Sequence, residues 1–167
     1  PWDLGDGSAC LTIYWSIVEK SGLLFCYDSG FPFLGRALVE AGVKYLLVPS
    51  STWGIAGYCR VRVGGMSRGL EGQCGSALAS LGGHVDWSTS VTDTTGMGGI
   101  YAPPDTGFPS DGVLAVGEIG KAGWTIADAP RSAIAHVRRE GVVRNCAHWS
   151  EKQAHSSALP VTYCDLR

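Results

Sequence analysis

Two apolar runs, LLFCY at residues 23–27 and KYLLVPS at 44–50, flank a stretch with helical patterning. That unit constrains the chain more than any other feature. Pro32 fits the first turn of a helix, because its missing N–H has no partner there and its φ is already helical. Phe33, Leu34, Ala37, Leu38 and Ala41 follow at helical spacing until Gly42 ends the run. A strand, a turn, a helix and another strand require a crossover connection, which marks α/β architecture. Upstream, CLTIYWSIV at 10–18 is β-branched and aromatic, and EKSG at 19–22 turns it into LLFCY, so a hairpin leads into Cys26.

The remaining sequence reads as short elements joined tightly, in keeping with 24 glycines gathered in doublets and turns. RVRVGGMSRGLEGQ at 60–73 is a glycine-weakened helix, followed by the short strand CGSALAS. Strands are expected near GGIYAP, GVLAVGE and GWTIADA. PRSAIAHVRREG, from Pro130, is a helix opened by proline and closed by glycine. Residues 146–167 read as an extended C-terminal tail, a packing or subunit-contact arm.

At 167 residues and 45% hydrophobic, the chain has enough material for one domain with a core, so residues 1–167 are taken as one unit. The net charge of −2 is scattered, which excludes the electrostatic footprint of a nucleic-acid or anionic-membrane partner. No apolar run approaches the roughly 20 residues of a membrane span, and PWDLGDG lacks the basic and apolar regions of a signal peptide. The six cysteines form no CxxC pair, so the thiols are expected to be reduced and the setting cytoplasmic. His84, His136, His148 and His155 share no ligand spacing with the cysteines, so neither a metal nor another cofactor is expected.

Cys26 ends a strand and precedes a helix, which puts it at the carboxyl edge of the sheet where ligands collect in open α/β folds. A helix beginning near Phe31 or Pro32 adds free N–H groups and partial positive charge, which favour a thiolate and hold an oxyanion. Hydrolases display a nucleophile on such a sharp turn. The next strand ends at the same edge, so Ser50, Ser51, Thr52 and Trp53 should line the space beside Cys26. Free cysteine is also among the most buried residue types, and Phe25 and Tyr27 flank this one, so spacing alone leaves packing as the alternative. Tyr101, Trp87 and Met97 are either pocket-facing or core. His84, beside Gly82 and Gly83, is either half of a Cys–His dyad or a solvated loop side chain. Arg68 and Glu71, three apart on a helix, form either an exposed pair worth a few tenths of a kcal/mol or a buried structural one.

Taken together, GLLFCYDSGFP, RALVEAGVKYLLVPS, AGYCRVRVGGMSRGLEGQC, GGIYAPPDTGFPSDGVLAVGE and REGVVRNCAHWSE resemble the carbon-nitrogen hydrolase, or nitrilase, superfamily. The likeness runs in order along nearly the whole chain. It implies an α-β-β-α sandwich that forms a dimer or higher homo-oligomer and hydrolyses small amides, nitriles or N-carbamoyl compounds through a cysteine thioester. By that resemblance Cys26 is the nucleophile, the backbone N–H of Tyr27 helps hold the oxyanion, and Asp28, Arg68 and Glu71 are structural near the site.

The superfamily's glutamate base, its oxyanion lysine and a second glutamate all lie N-terminal to the cysteine, and PWDLGDG resembles the segment just after the second glutamate. The resemblance therefore implies an incomplete sandwich that lacks N-terminal strands and helices. Within residues 1–25 only Asp3, Asp6, Glu19 and Lys20 are candidates; Glu19 and Lys20 sit in a hairpin turn and read as solvated charges. Two functional classes follow: a nitrilase-like amidohydrolase completed by residues supplied elsewhere, or a catalytically inactive fragment whose bare apolar face serves association. An N-acyltransferase of the same fold is a third reading. Gly30 and Phe33 depart from the usual turn. Gly69 and Gly72 stand where alanine and asparagine are usual, each costing about 0.5 to 1 kcal/mol in a helix, which points to a weakened fold.

Overall fold

We describe residues 13–15, 20–84, 86, 93–160 and 162–164 of a computed structural model, with residues 13–15, 157 and 158 described by backbone alone. The elements in chain order are β1 (Ile13–Trp15), β2 (Lys20–Leu23), a 3-10 turn (Cys26–Gly30), α1 (Pro32–Glu40), β3 (Tyr45–Ser51), α2 (Ile55–Gly72) and β4 (Gly75–Leu81). They continue with β5 (Gly83–His84), β6 (Asp93–Thr94), β7 (Gly99–Tyr101), β8 (Val113–Val116), α3 (Arg131–Glu140) and α4 (Asn145–Ala158). Asp3, Asp6, Cys10, Glu19 and Trp87 lie outside the described residues.

The main sheet runs β1-β2-β3-β4-β7-β8, with β2, β3 and β4 parallel and the outer pairs antiparallel; β5 and β6 form a separate ribbon. Crossovers through α1 and α2 put both helices on one face, so β3 alternates: Leu46 and Val48 are buried beneath the helices, while Leu47 is 37% exposed on the other side. Leu24, Leu38, Val39, Val43, Tyr58, Val61, Cys74, Leu78 and Tyr101 complete this core, and Met97 packs against it partly buried. Burying each large apolar side chain contributes about 1.5 to 3 kcal/mol. The opposite face carries Leu23, Leu47, Pro49, Ala77, Ala79, Leu81 and Ile100 along a shallow open hollow. The fold is thus mixed α/β, with a central sheet and helices, as expected.

α1 begins at Pro32 and ends before Gly42, whose φ of +95° suits glycine. α3 is bounded by Pro130 and Gly141. Buried Gln73 joins it to the end of α2: its side-chain nitrogen donates to the carbonyls of Val137 at 3.0 Å and Val143 at 2.6 Å. No helix among the described residues is long and apolar enough to cross a membrane.

Three expectations change. Asn145–Ala158 forms a helix rather than an extended arm, with Cys146 and Trp149 packed against the core. GWTIADA forms no strand; the β7–β8 ladder beside it continues through the Gly117 N–H, which donates to the Gly98 carbonyl at 2.9 Å. Gly72 and Gly64 of α2 leave no room for a side chain, and Gly69 is tight, so these glycines do more than weaken the helix. A Cβ on Gly72 would lie 2.7 Å from Val39 Cγ2, one on Gly69 would lie 3.2 Å from the Cys74 carbonyl oxygen, and one on Gly64 would lie 2.9 Å from that of Ser29. The close approach of α2 to α1 and the sheet recovers in packing what the helix loses in propensity.

Candidate active site

Leu23 pairs with Leu47 in parallel register, so β2 and β3 advance in step, and the residues three further on, Cys26 and Ser50, arrive side by side. β2 ends at Leu23, Leu24 N–H still donates to the Leu47 carbonyl at 2.9 Å, and after Phe25 the chain tightens into the 3-10 turn, which Cys26 opens with φ +42°. A non-glycine residue there is strained, and strained backbone persists only where surrounding contacts hold it.

Those contacts are present. Asp28 N–H donates to the Phe25 carbonyl at 2.8 Å, and Asp28 Oδ2 accepts from the Phe25 N–H at 3.0 Å, closing the turn reciprocally. Ser29, 1% exposed, donates its hydroxyl to the carbonyl of Cys26 at 2.7 Å. Arg68, 6% exposed, reaches from α2 with Nη1 3.4 Å from the Ser29 carbonyl oxygen, and its Nη2 donates to Glu71 Oε1 at 2.9 Å. The Arg68–Glu71 pair is therefore half-buried and anchors the turn.

Around the sulfur, Ser50 Oγ donates to Cys26 Sγ at 3.3 Å, and the thiol lies 3.9 Å from the Ser51 carbonyl oxygen. Cys26 is partly exposed; Phe25 and Tyr27 on either side of it are exposed at 59% and 76%. The N–H groups that adjoin Cys26 in the chain open the 3-10 turn; α1 starts six residues later, at Pro32. At a helical start these donors have no acceptor within the turn itself.

Thr52 extends the same edge: its hydroxyl donates to the Thr95 carbonyl at 2.9 Å, and Thr95 N–H returns a bond to the Thr52 carbonyl at 2.7 Å. Trp53 is 72% exposed next to it. His84 is not brought to Cys26; its ring nitrogens each lie 2.9 Å from a carboxylate oxygen, of Asp86 and of Asp93. Lys20 lies in β2, paired with Trp15, rather than in a hairpin turn, and its ammonium donates to the Ala41 carbonyl at 3.3 Å rather than being merely solvated. Tyr101 is core, 1% exposed. Among the described residues no group of three or more His, Cys, Asp or Glu converges on a metal position. Sequence reasoning missed Ser29 and the contact of Ser50 with sulfur, although the in-step strand ends foreshadow the second.

No family model matches the chain. In sequence it is similar to a probable hydrolase, YhcX, of Bacillus subtilis, 28% identical over 143 residues, which cover 86% of this chain and 28% of that protein. It is also similar to the deaminated glutathione amidase of Bos taurus, 41% identical over 66 residues, covering 39% of this chain and 20% of that one. The matched parts thus span well under half the length of these relatives. In structure it is similar to Saccharomyces cerevisiae Nit3, a nitrilase-superfamily member, with TM-score 0.60 and 19% identity over 79% of this chain and 45% of the other. A nitrilase-superfamily amidase of Nesterenkonia AN1 gives TM-score 0.59 and 18% identity over 92% of this chain and 49% of the other. In a variant of that amidase, the acetamide moiety of fluoroacetamide is added covalently at the active-site cysteine. This chain has the nitrilase-superfamily fold over the part of that architecture its residues span.

Proposed function

We propose that this chain carries the nucleophile-bearing part of a hydrolase acting on non-peptide carbon-nitrogen bonds of small amides, nitriles or N-carbamoyl compounds. The observation that carries the reading is Cys26 itself: a partly exposed thiol with φ +42°, at the carboxyl end of a parallel strand and the first position of a turn. Buried packing cysteines have no need of such strain.

In the proposed reaction Cys26 loses its proton to a base, and its sulfur bonds to the acyl carbon of an amide or N-carbamoyl compound; a nitrile gives a thioimidate instead, which takes up one water before its nitrogen leaves. The N–H of Tyr27 receives the oxyanion, and the C–N bond breaks as nitrogen leaves with a proton. Water then attacks the thioester, the acid departs and the thiol is restored. Ser50, Ser51, Thr52 and Trp53 line the substrate side, while Asp28, Arg68 and Glu71 hold the turn. The base and an oxyanion lysine come from polypeptide outside these residues, and assembly as a homodimer or higher homo-oligomer completes the proposal.

The test is fluoroacetamide treatment of the chain followed by peptide mass mapping. An acetamide adduct on Cys26 is expected; adducts on exposed Cys59 and Cys164 with none on Cys26 overturn the reading. The open apolar sheet face favours a second one, an inactive association module. On that reading Cys26 stays unmodified, and sedimentation shows self-association that Leu47→Lys abolishes.

A further inference from the structure

The hydroxyl of Ser50 meets the sulfur of Cys26 at a distance suited to an O–H···S hydrogen bond, 3.3 Å. The parallel pairing of Leu23 with Leu47 puts it there, so the contact is built into the register of the central strands. A thiol sulfur is a weak acceptor, whereas an ionised sulfur draws a donor as a charge-assisted bond does. The Ser51 carbonyl, 3.9 Å away, can only accept, and so favours the protonated form. The two neighbours pull the sulfur in opposite directions.

We propose that Ser50 is a catalytic residue that donates to the Cys26 sulfur and favours its thiolate, a role that rests on reading Cys26 as the nucleophile. As the thiol proton departs to a base, the Ser50 O–H points at the growing negative charge without being broken. As sulfur bonds to carbon and loses that charge, the hydrogen bond weakens, so Ser50 assists ionisation and not the acyl-enzyme that follows. Thioester breakdown returns charge to sulfur, and the same hydroxyl then helps it leave.

The experiment measures iodoacetamide alkylation of Cys26 and Cys59 in the same molecules, by peptide mass mapping from about pH 6 to about pH 10, in the full chain. Exposed Cys59 is the internal control. Ser50→Ala is expected to slow Cys26 about fivefold near neutrality and leave Cys59 unchanged, the deficit closing toward high pH where ionisation needs no assistance. Ser50→Thr, which keeps the hydroxyl, restores the rate, and Ser50→Val does not. If Cys26 reacts at one rate in all four proteins, or if Cys26 and Cys59 slow together, the role of Ser50 is overturned while the nucleophile reading stands. If Cys26 fails to react in the unaltered chain, both fall.

Discussion

Ser29 donates its hydroxyl to the carbonyl of Cys26 at 2.7 Å from within the same turn, 1% exposed, where Gly64 of α2 packs against it. The bond ties the strained residue to a buried side chain rather than to solvent. Arg68 continues the link by approaching the Ser29 carbonyl, so the conformation of the candidate nucleophile depends on a helix that begins 29 residues after it. Packing and chemistry are joined through this contact.

Replacing Ser29 with alanine removes the hydroxyl and leaves a buried carbonyl with one partner fewer. We expect a loss of about 1 to 2 kcal/mol, read as a lower urea midpoint with unchanged slope. A midpoint within error of the unaltered protein contradicts the clamp.

Gly64→Ala sets two effects against each other. Alanine favours the helix by roughly 1 kcal/mol over glycine. The new methyl, however, would lie 2.8 Å from Ser29 Oγ and 2.9 Å from its carbonyl oxygen, and overpacking of that kind costs about 1 to 3 kcal/mol. The clash wins, so thermal unfolding should fall by several degrees rather than rise.

Cys74 is fully buried, and burial, opposed only in part by the Arg138 guanidinium, pushes its thiol up to about 12. In the unfolded chain a thiol ionises near about 8.5. Between those values the folded protein keeps a proton that the unfolded chain releases, so stability falls as pH rises through that window. Cys74→Ala should cost stability at neutral pH through the small cavity it leaves, and that deficit should shrink by about pH 10. Parallel denaturation curves at the two pH values test it.

Asp105 joins the β7–β8 loop to the α3–α4 link, accepting from the N–H groups of Thr106 at 2.6 Å and Val142 at 3.0 Å, with Val143 at 3.4 Å. Desolvation, the largest single influence, raises its carboxyl, but the backbone bonds from Val142, Thr106 and Val143 together outweigh it and hold the group below its usual range. A lowered carboxylate contributes stability that is complete above about pH 4 and lost as pH falls below that. Asp105→Asn should cost about 0.5 kcal/mol at neutral pH, a figure reduced for solvent screening, and the difference should vanish in acid.

Much of this architecture was legible along the chain because it depends on local rules. Pro32, the periodic apolar residues after it and Gly42 define α1, and the run YLLVPS defines β3, since helix and strand periods differ and glycine suits the positive φ at the stop. The nitrilase-like order of segments was equally readable, as was the placing of Cys26 at a strand end. The C-terminal helix was not: NCAHWSEKQAHSSA has a weak apolar stripe, and Cys146 and Trp149 find their partners only once α1 and α2 are in place. The glycines of α2 misled for the same reason. Viewed along one helix they are losses of propensity, and only against Val39, Ser29 and Cys74 do they become contacts. Sequence by itself determined α1, β3 and the position of Cys26 shortly after a strand. Tertiary structure decided what surrounds it, because Ser50 reaches the sulfur through strand register and Arg68 reaches the carbonyl of Ser29 through helix packing, which link residues distant in the chain.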